Sequence, residues 1–384
     1  MSLLAQQFHI SGKVLDHDSK IALPGATVFI ANSTIATTTD SSGHFDLQNI
    51  PANVFQVVID KPGYETMVFA ASPQQLSTVF RFEMTQLPVI SSFPPANDSI
   101  VKYDLNGWYG LFIRNFLGGG ENAAECYIAN TDALRFHFNI AERKLVVTAT
   151  AMLQVFNEAT GYLINCKLDE FSVDNFGKCQ FNGYWWFKEL SSSQKSIRTK
   201  WVQNRVLTYN GSLMHFMRAL YADSLVDEGF EMRKIRILYD DDPDFKKAKR
   251  SNQSTFPLQE DLKPGDNRKP RDYLYLTDKY PLPADSLRKI DAKLGYIYFS
   301  SDYSIKVEYK KSLESSLYLS DRFYSEFIGR IPGHRNSMLT PKPGEKIRLE
   351  DNGLYFDRSD LKVYGYWEWQ RLADALPFDY QKGR

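Results

Sequence analysis

The chain has 384 residues, with 46 Lys plus Arg against 46 Asp plus Glu, 43% hydrophobic and 24% charged residues. This composition excludes a disordered chain, and the length suits two or three domains of roughly 100–200 residues. Zero net charge gives no global field for nucleic acid or an anionic membrane surface, and no run of about 18 apolar residues is present to span a membrane as a helix.

Aromatic residues make up 14% of the chain, including 22 Tyr and 26 Phe. Rings fit pleated, half-buried surfaces, so the excess favours β structure; the alternative use of some rings is a ligand platform. The three cysteines, Cys126, Cys166 and Cys179, form no CxxC pair. That argues against a zinc knuckle or a thioredoxin-type site and leaves open either one disulfide with a free thiol or three buried thiols. The opening "MSLLAQQ" is too short for a signal peptide but reads as the stub of one, an expectation of export.

From Phe8 to Met84 apolar and polar residues alternate in short runs: Phe8, Ile10, Gly12 and Val14; Val28 and Ile30; Phe45 and Leu47; then Tyr64–Ala70 and Thr78–Met84. Strict alternation predicts strands with one buried face. The run Val54–Asp60 is denser and suits a central strand. Pro24-Gly25, Asp40–Gly43 (read as a hairpin) and Lys61–Tyr64 supply turns. About seven short strands at this spacing predict a β-sandwich.

The residues Gly12-x-Val14, Pro24-Gly25-Ala26-x-Val28, Thr39-Asp40-x-x-Gly43-x-Phe45, Ile50-Pro51 and Gly63-Tyr64 together resemble the carboxypeptidase regulatory-like domain. The resemblance implies a seven-stranded, prealbumin-like sandwich without chemistry of its own. An N-terminal copy is similar to the arrangement at the front of many exported Bacteroidetes proteins, outer-membrane receptors among them.

The predicted fold class is therefore mainly β: residues 1–87 as this sandwich, a Pro-bearing linker at 88–107, and a larger β-rich region at 108–384 with at least one helix, divisible near 240–270. Leu134–Phe138, Lys144–Val155, Gly161–Phe171 and Gln180–Leu190 read as an antiparallel meander. Asn210–Phe230 carries Leu213, Phe216, Met217 and Leu220 at helical spacing, with Ser212 as N-cap and Gly229 near the stop. Asp240–Gln253 reads as a solvated loop, "LKPGDNRKP" as more loop, strands resume from Tyr296, residues 333–353 are loop-rich, and Trp367 and Trp369 take alternate positions on one strand face. The stretch from Trp201 and the ending "GYWEWQRLADALP" resemble a long region that follows the same sandwich in Bacteroidetes proteins and has no established activity.

No catalytic motif emerges. None of His9, His17, His44, His137, His215 and His334 is followed at the third position by Glu, so zinc carboxypeptidase chemistry is not expected. "LGGGENAAE" has the glycines of a phosphate loop without its Lys. The densest constellation is Trp185, Trp186, Trp201, Arg205, Tyr209, His215 and Arg218. Of these, Trp185, Trp186, Arg205, Tyr209, His215 and Arg218 are the candidate ligand-binding residues, since Arg offers a planar donor fork and ring faces stack on sugars. The competing reading is that Arg and His satisfy buried carbonyls or acids around the helix. No catalytic residue, metal ligand or cofactor is assigned. The expected function is an exported binding or scaffold protein, with carbohydrate or another envelope protein as partner. The alternatives are a carbohydrate-active hydrolase with hidden paired carboxylates and an accessory of an outer-membrane transport complex.

Overall fold

The computed structural model describes residues 8–50, 53–72, 79–88, 105–139, 143–174, 178–250, 258–259, 271–321, 331–355 and 360–383. Strands dominate, in two compact units: Met1–Tyr209 with Arg371–Arg384, and Asn210–Gln370. Most of the expected linker, and all of "LKPGDNRKP", lies outside the described residues.

The first unit opens with β1 (Phe8–Asp16), β2 (Thr27–Ile30), β3 (Ala36–Thr38), β4 (His44–Ile50), β5 (Phe55–Asp60), β6 (Met67–Ala71) and β7 (Phe80–Met84). These seven strands form the expected sandwich from a three-stranded sheet, β4-β1-β7, and a four-stranded sheet, β3-β2-β5-β6. The β1–β7 pair is parallel and the others antiparallel. Alternate residues turn inward, so Ile10, Val14, Val28, Ile30, Phe45, Leu47, Val57 and Ile59 share one buried core. Gly12 is required by close approach: a Cβ there would lie 2.6 Å from the Phe80 carbonyl oxygen and 2.9 Å from the Phe45 ring.

The dense apolar run of β5 has a physical reason. Val57 and Ile59 face the sandwich core, whereas Val58, with Phe29 and Ala31, is buried on the opposite face against Met152, Tyr184 and Trp186. A strand buried on both faces reads as continuous rather than alternating. Asp40–Gly43 does not close a hairpin. It joins β3 to β4, which belong to different sheets. Thr39 turns the chain over, its Oγ1 accepting from Ala26 N–H and donating to the Leu23 carbonyl, and Asp40 Oδ1 accepts from the N–H groups of Ser42 and His44.

The same unit continues with α1 (Leu105–Leu117), β8 (Cys126–Ile128), β9 (Leu134–Asn139), β10 (Lys144–Ala149), β11 (Leu153–Asn157), β12 (Tyr162–Asp174), β13 (Cys179–Glu189) and α2 (Lys195–Tyr209). The strands make the expected antiparallel meander. The long β12 pairs with β11 and β10 at its two halves, and with β13 along its length. Phe112 and Phe116 of α1 pack edge-on against Phe171. Residues 371–380 return to this unit, burying Leu372, Ala373 and Leu376, while Asn157 Nδ2 donates to the Ala373 carbonyl.

The second unit holds α3 (Leu213–Tyr221), α4 (Leu225–Glu228), β14 (Phe230–Tyr239), α5 (Phe245–Arg250), β15 (Leu258–Gln259), β16 (Asp272–Thr277), β17 (Arg288–Ile290), β18 (Ile297–Phe299), β19 (Ser304–Leu313), α6 (Ser316–Ser320), β20 (His334–Pro341), β21 (Ile347–Leu349), β22 (Leu361–Gly365) and α7 (Tyr366–Trp369). Its main sheet runs β15-β16-β14-β19-β20-β22, beside a small β17-β18-β21 sheet. Phe216, Met217 and Leu220 of α3 pack with Phe230, Met232, Val307 and Leu339 of the sheet.

Ser212 caps α3 as expected, its hydroxyl accepting from His215 N–H, and Gly229 ends the segment at φ +91°. The expected single helix is, however, broken into α3 and α4, with Asp223 at φ +57° between them. Three further expectations are corrected. Asp240–Gln253 contains α5, because Phe245 and Ala248 find a buried pocket against Leu238 and Leu274. Residues 333–353 contain β20 and β21, which extend the two sheets. Trp367 and Trp369 sit on α7, not on a strand, and both are buried.

Candidate functional site

The helix α2 buries Trp201, Arg205, Thr208 and Tyr209, one face at spacings of four, three and one. That face is polar because it binds backbone. Opposite it, the turn from β11 to β12 bends through Gly161 at φ +71° and presents consecutive carbonyls. Trp201 Nε1 donates to Glu158 O at 2.9 Å and Asn204 Nδ2 to Ala159 O at 2.9 Å. Arg205 donates from Nε to Thr160 O at 2.8 Å and from Nη2 to Gly161 O at 3.3 Å. Its Nη1 reaches Glu189 at 2.8 Å, and the guanidinium lies 4.0 Å from the Tyr162 ring centre. Each buried carbonyl thus finds the donor that burial demands. Sequence reading placed Arg205 and Tyr209 ahead of the helix at 210–230; they lie on a helix of their own.

The other sequence-chosen residues are spread out. Trp185 and Trp186 are neighbours on β13 and so point to opposite faces. Trp186 sits 6.4 Å from Phe29, covering the outer face of the sandwich, and Trp185 sits edge-on to Phe181 at 5.0 Å. Tyr209 packs on Tyr380 with ring centres 5.7 Å apart. His215 and Arg218 belong to the second unit. His215 is buried, its Nδ1 accepting from Gly211 N–H at 3.0 Å and its Nε2 lying 2.9 Å from Glu228. Arg218 Nε donates to Asn352 O at 2.8 Å. Arg205, His215 and Arg218 each bond carbonyls, an N–H or acids of the fold itself, and Arg205 and His215 also lie against its aromatic rings.

A cleft of about 430 Å³ lies at the open edge of the sandwich, lined by Thr34, Ile35, Ala36, Thr37, Asp46, Leu47, Gln48, Asn49 and Asp379. Its walls are β3 and β4, the terminal strands of the two sheets among the described residues. Three features shape it. The β2–β3 loop is pinned by backbone bonds, Asn32 N–H to Trp185 O at 2.7 Å and Phe187 N–H to Ser33 O at 2.8 Å, with Phe378 N–H donating to Asn32 O at 2.7 Å. On β4, Gln48 and Asn49 together oppose the single residue His9, with Asn49 at φ +59°, a bulge that re-aims both side chains. Finally, Asp379 crosses from the C-terminal segment, accepting from Thr34 N–H at 3.0 Å and from the Thr34 hydroxyl.

Electrostatically the cleft is anionic. Gln48 Nε2 donates to Asp46 Oδ2 at 3.0 Å, and His9 Nδ1 lies 3.2 Å from Oδ1; the Gln48 amide first, then the His9 ring, hold the Asp46 carboxyl below the usual carboxylate range. None of these residues was chosen from sequence. Asp379 lies 345 positions from Thr34, and no local pattern marks such a pair. Among the described residues no group of three or more His, Cys, Asp or Glu is placed to hold a metal ion. The three cysteines are in no disulfide among the described residues, and burial pushes the Cys126 thiol up to about 12 and the Cys166 thiol higher still.

Comparison with known proteins gives one family match. The family model of the CarboxypepD_reg-like domain matches residues 10–88. A search of curated proteins returns no match. Among solved structures, similarity extends to two type II cohesin–X-dockerin complexes from Acetivibrio cellulolyticus, an N-terminal and a C-terminal interface mutant. The first is 28% identical over 20% of this chain and 52% of that one, at a TM-score of 0.16. The second is 26% identical over 20% of this chain and 51% of that one, also at 0.16. This chain therefore spans about half of those chains. A 9R-lipoxygenase from Cyanothece PCC8801 is 10% identical over 58% of this chain and 48% of that one, at a TM-score of 0.15. Superpositions this loose carry no argument here.

Proposed function

With residues 10–88 a CarboxypepD_reg-like domain, we propose that the chain is a binding or scaffold protein of the cell envelope whose sandwich positions a partner protein. The observation that supports this is how the domain is held. Its own core is closed, and its four-stranded sheet docks through Phe29, Ala31 and Val58 onto Met152, Tyr184 and Trp186. The β2–β3 loop is tied to β13 by two main-chain hydrogen bonds. That docking leaves a polar edge cleft open, with a volume within the range of ligand clefts, roughly 300–1,000 Å³. A rigid, pre-positioned edge of this kind suits recognition, because little ordering entropy remains to be lost on binding.

Export is part of this proposal on the strength of the resemblance to modules at the front of exported proteins. The test is affinity capture from solubilised envelopes with the full chain as bait, beside assays of glycan and peptide hydrolysis. Specific recovery of an envelope protein without turnover supports the proposal. Hydrolysis abolished by one carboxylate substitution overturns it in favour of an enzyme, retention on glycan arrays alone replaces the protein partner with carbohydrate, and exclusive recovery of the native protein in the cytoplasm removes the envelope assignment.

A further inference from the structure

The edge cleft carries a statement about what it accepts. We propose that it receives a Lys or Arg side chain from an extended segment of the partner protein; this rests on the binding reading above and names the chemistry of that partner.

Charge is the first ground. Of the nine lining residues the charged ones are Asp46 and Asp379, both carboxylates, and the rest are neutral. Two carboxylates lining one cleft favour a cation over an anion in the space they share. Unspent acceptor capacity is the second ground. A carboxylate offers about four acceptor sites. Asp46 uses one oxygen toward His9 and one toward Gln48, and Asp379 is occupied by the N–H and hydroxyl of a single residue, Thr34. Both retain sites for a donor, and the Thr37 hydroxyl and the Asn49 amide oxygen add acceptors beside them. Ammonium and guanidinium groups are donors without acceptors, so they match this arrangement better than a hydroxyl or an amide.

The remaining lining residues suit the rest of such a side chain. Ile35 and Ala36 are half-buried beside the carboxylates and offer an apolar surface for a methylene stem. The bulge at Gln48–Asn49 interrupts the edge of β4, which opposes continuous strand addition and favours recognition through a side chain. An extended segment lying along β3 and β4 would then place one residue in the cleft.

The test uses the full chain and three fluorescein-labelled nonapeptides that share one uncharged framework and carry Arg, Gln or Glu at the central position. Fluorescence anisotropy at low salt should show saturable binding of the Arg peptide alone, weakened when salt rises from about 50 mM to about 500 mM. Asp46→Asn and Asp379→Asn should each weaken binding roughly tenfold, the effect of losing one charge-assisted hydrogen bond. Thr37→Lys, which places the protein's own cation in the cleft from a half-buried edge position, should abolish binding with the thermal midpoint unchanged; it keeps the test decisive if Asp379→Asn unfolds the C-terminal segment. Equal affinity for the three peptides, no saturable binding, or full binding by Thr37→Lys overturns the proposal. If envelope capture by the full chain survives Thr37→Lys, the scaffold reading stands and the cleft is not its contact.

Discussion

Replacing Arg205 separates a residue that serves a ligand from one that serves the fold. Its side chain is 7% exposed, whereas its ionic partner Glu189 is 61% exposed. Truncation to Ala leaves the Thr160 carbonyl buried and short of a donor, while the Gly161 carbonyl keeps the Leu190 N–H at 2.9 Å. The first loses a bond of 2.8 Å and the second a longer one of 3.3 Å. An orphaned buried acceptor costs about 1–3 kcal/mol, a cost that falls on Thr160, and the longer second bond at Gly161 adds little. Loss of the guanidinium stacked on Tyr162 adds about 1 kcal/mol, giving about 2–4 kcal/mol for the first unit. Arg205→Lys should recover little of this, because an ammonium cannot serve two adjacent carbonyls and a ring face in the plane of the fork. Glu189→Ala should cost no more than about 1 kcal/mol, the ordinary worth of an exposed ion pair. Urea unfolding, with hydrogen exchange of peptides from the β11–β12 turn to assign the transition to the first unit, reads all three. Arg205→Lys unfolding together with the parent, or Glu189→Ala costing as much as Arg205→Ala, would refute the assignment of Arg205 to the turn.

Three more outcomes are expected. Gly161→Ala should destabilise the first unit by about 2–5 kcal/mol, since a left-handed backbone costs a Cβ-bearing residue about 1–2 kcal/mol and overpacking adds about 1–3, the new Cβ falling 2.3 Å from the Trp201 ring; an unchanged urea midpoint contradicts this. Burial raises the Asp60 carboxyl above its usual range despite Lys167 at 3.9 Å. A raised folded-state pKa means that its stabilising contribution is present at acid pH and is lost as pH rises through the folded value. Asp60→Asn should therefore raise the thermal midpoint at pH 7 and leave it nearly unchanged at pH 3.5, and a fall at pH 7 would show Lys167 to outweigh burial. Cys126 and Cys166 are held as protonated thiols by burial, so native protein should titrate at most one thiol with Ellman's reagent at pH 8 and three after unfolding, and three fast native thiols would contradict the buried placement.

Much of the sandwich was legible because its signals are local. Alternation places Ile10, Val14, Phe45 and Leu47 on one face whatever else the chain does, and Pro24-Gly25 and Asp40–Gly43 mark turns by backbone chemistry alone. What Asp40–Gly43 connects was not legible, since a turn motif does not reveal whether the next strand pairs with the last or crosses to another sheet. Hydrophobic periodicity found α3 and missed α2 for one reason. The inward face of α3 is Phe216, Met217 and Leu220, whereas that of α2 includes Arg205, which satisfies backbone carbonyls, and Thr208, whose hydroxyl accepts from Asn122 Nδ2. Sequence reading assigned no element to the residues of α1, and packing of Phe112 and Phe116 on Phe171 is what gives that helix its buried face.

The chain's order of residues by itself determined the strands of the opening domain, the cap of α3 and the absence of a long apolar helix. Those features depend on neighbours within a few positions. Tertiary structure decided the rest: that Arg205 binds a turn, that Trp186 covers the sandwich, and that Asp379 returns to Thr34 to complete an anionic cleft. These depend on pairs far apart in the chain, and such pairs acquire meaning only when packing brings a buried carbonyl, an apolar face or a second carboxylate within hydrogen-bonding reach.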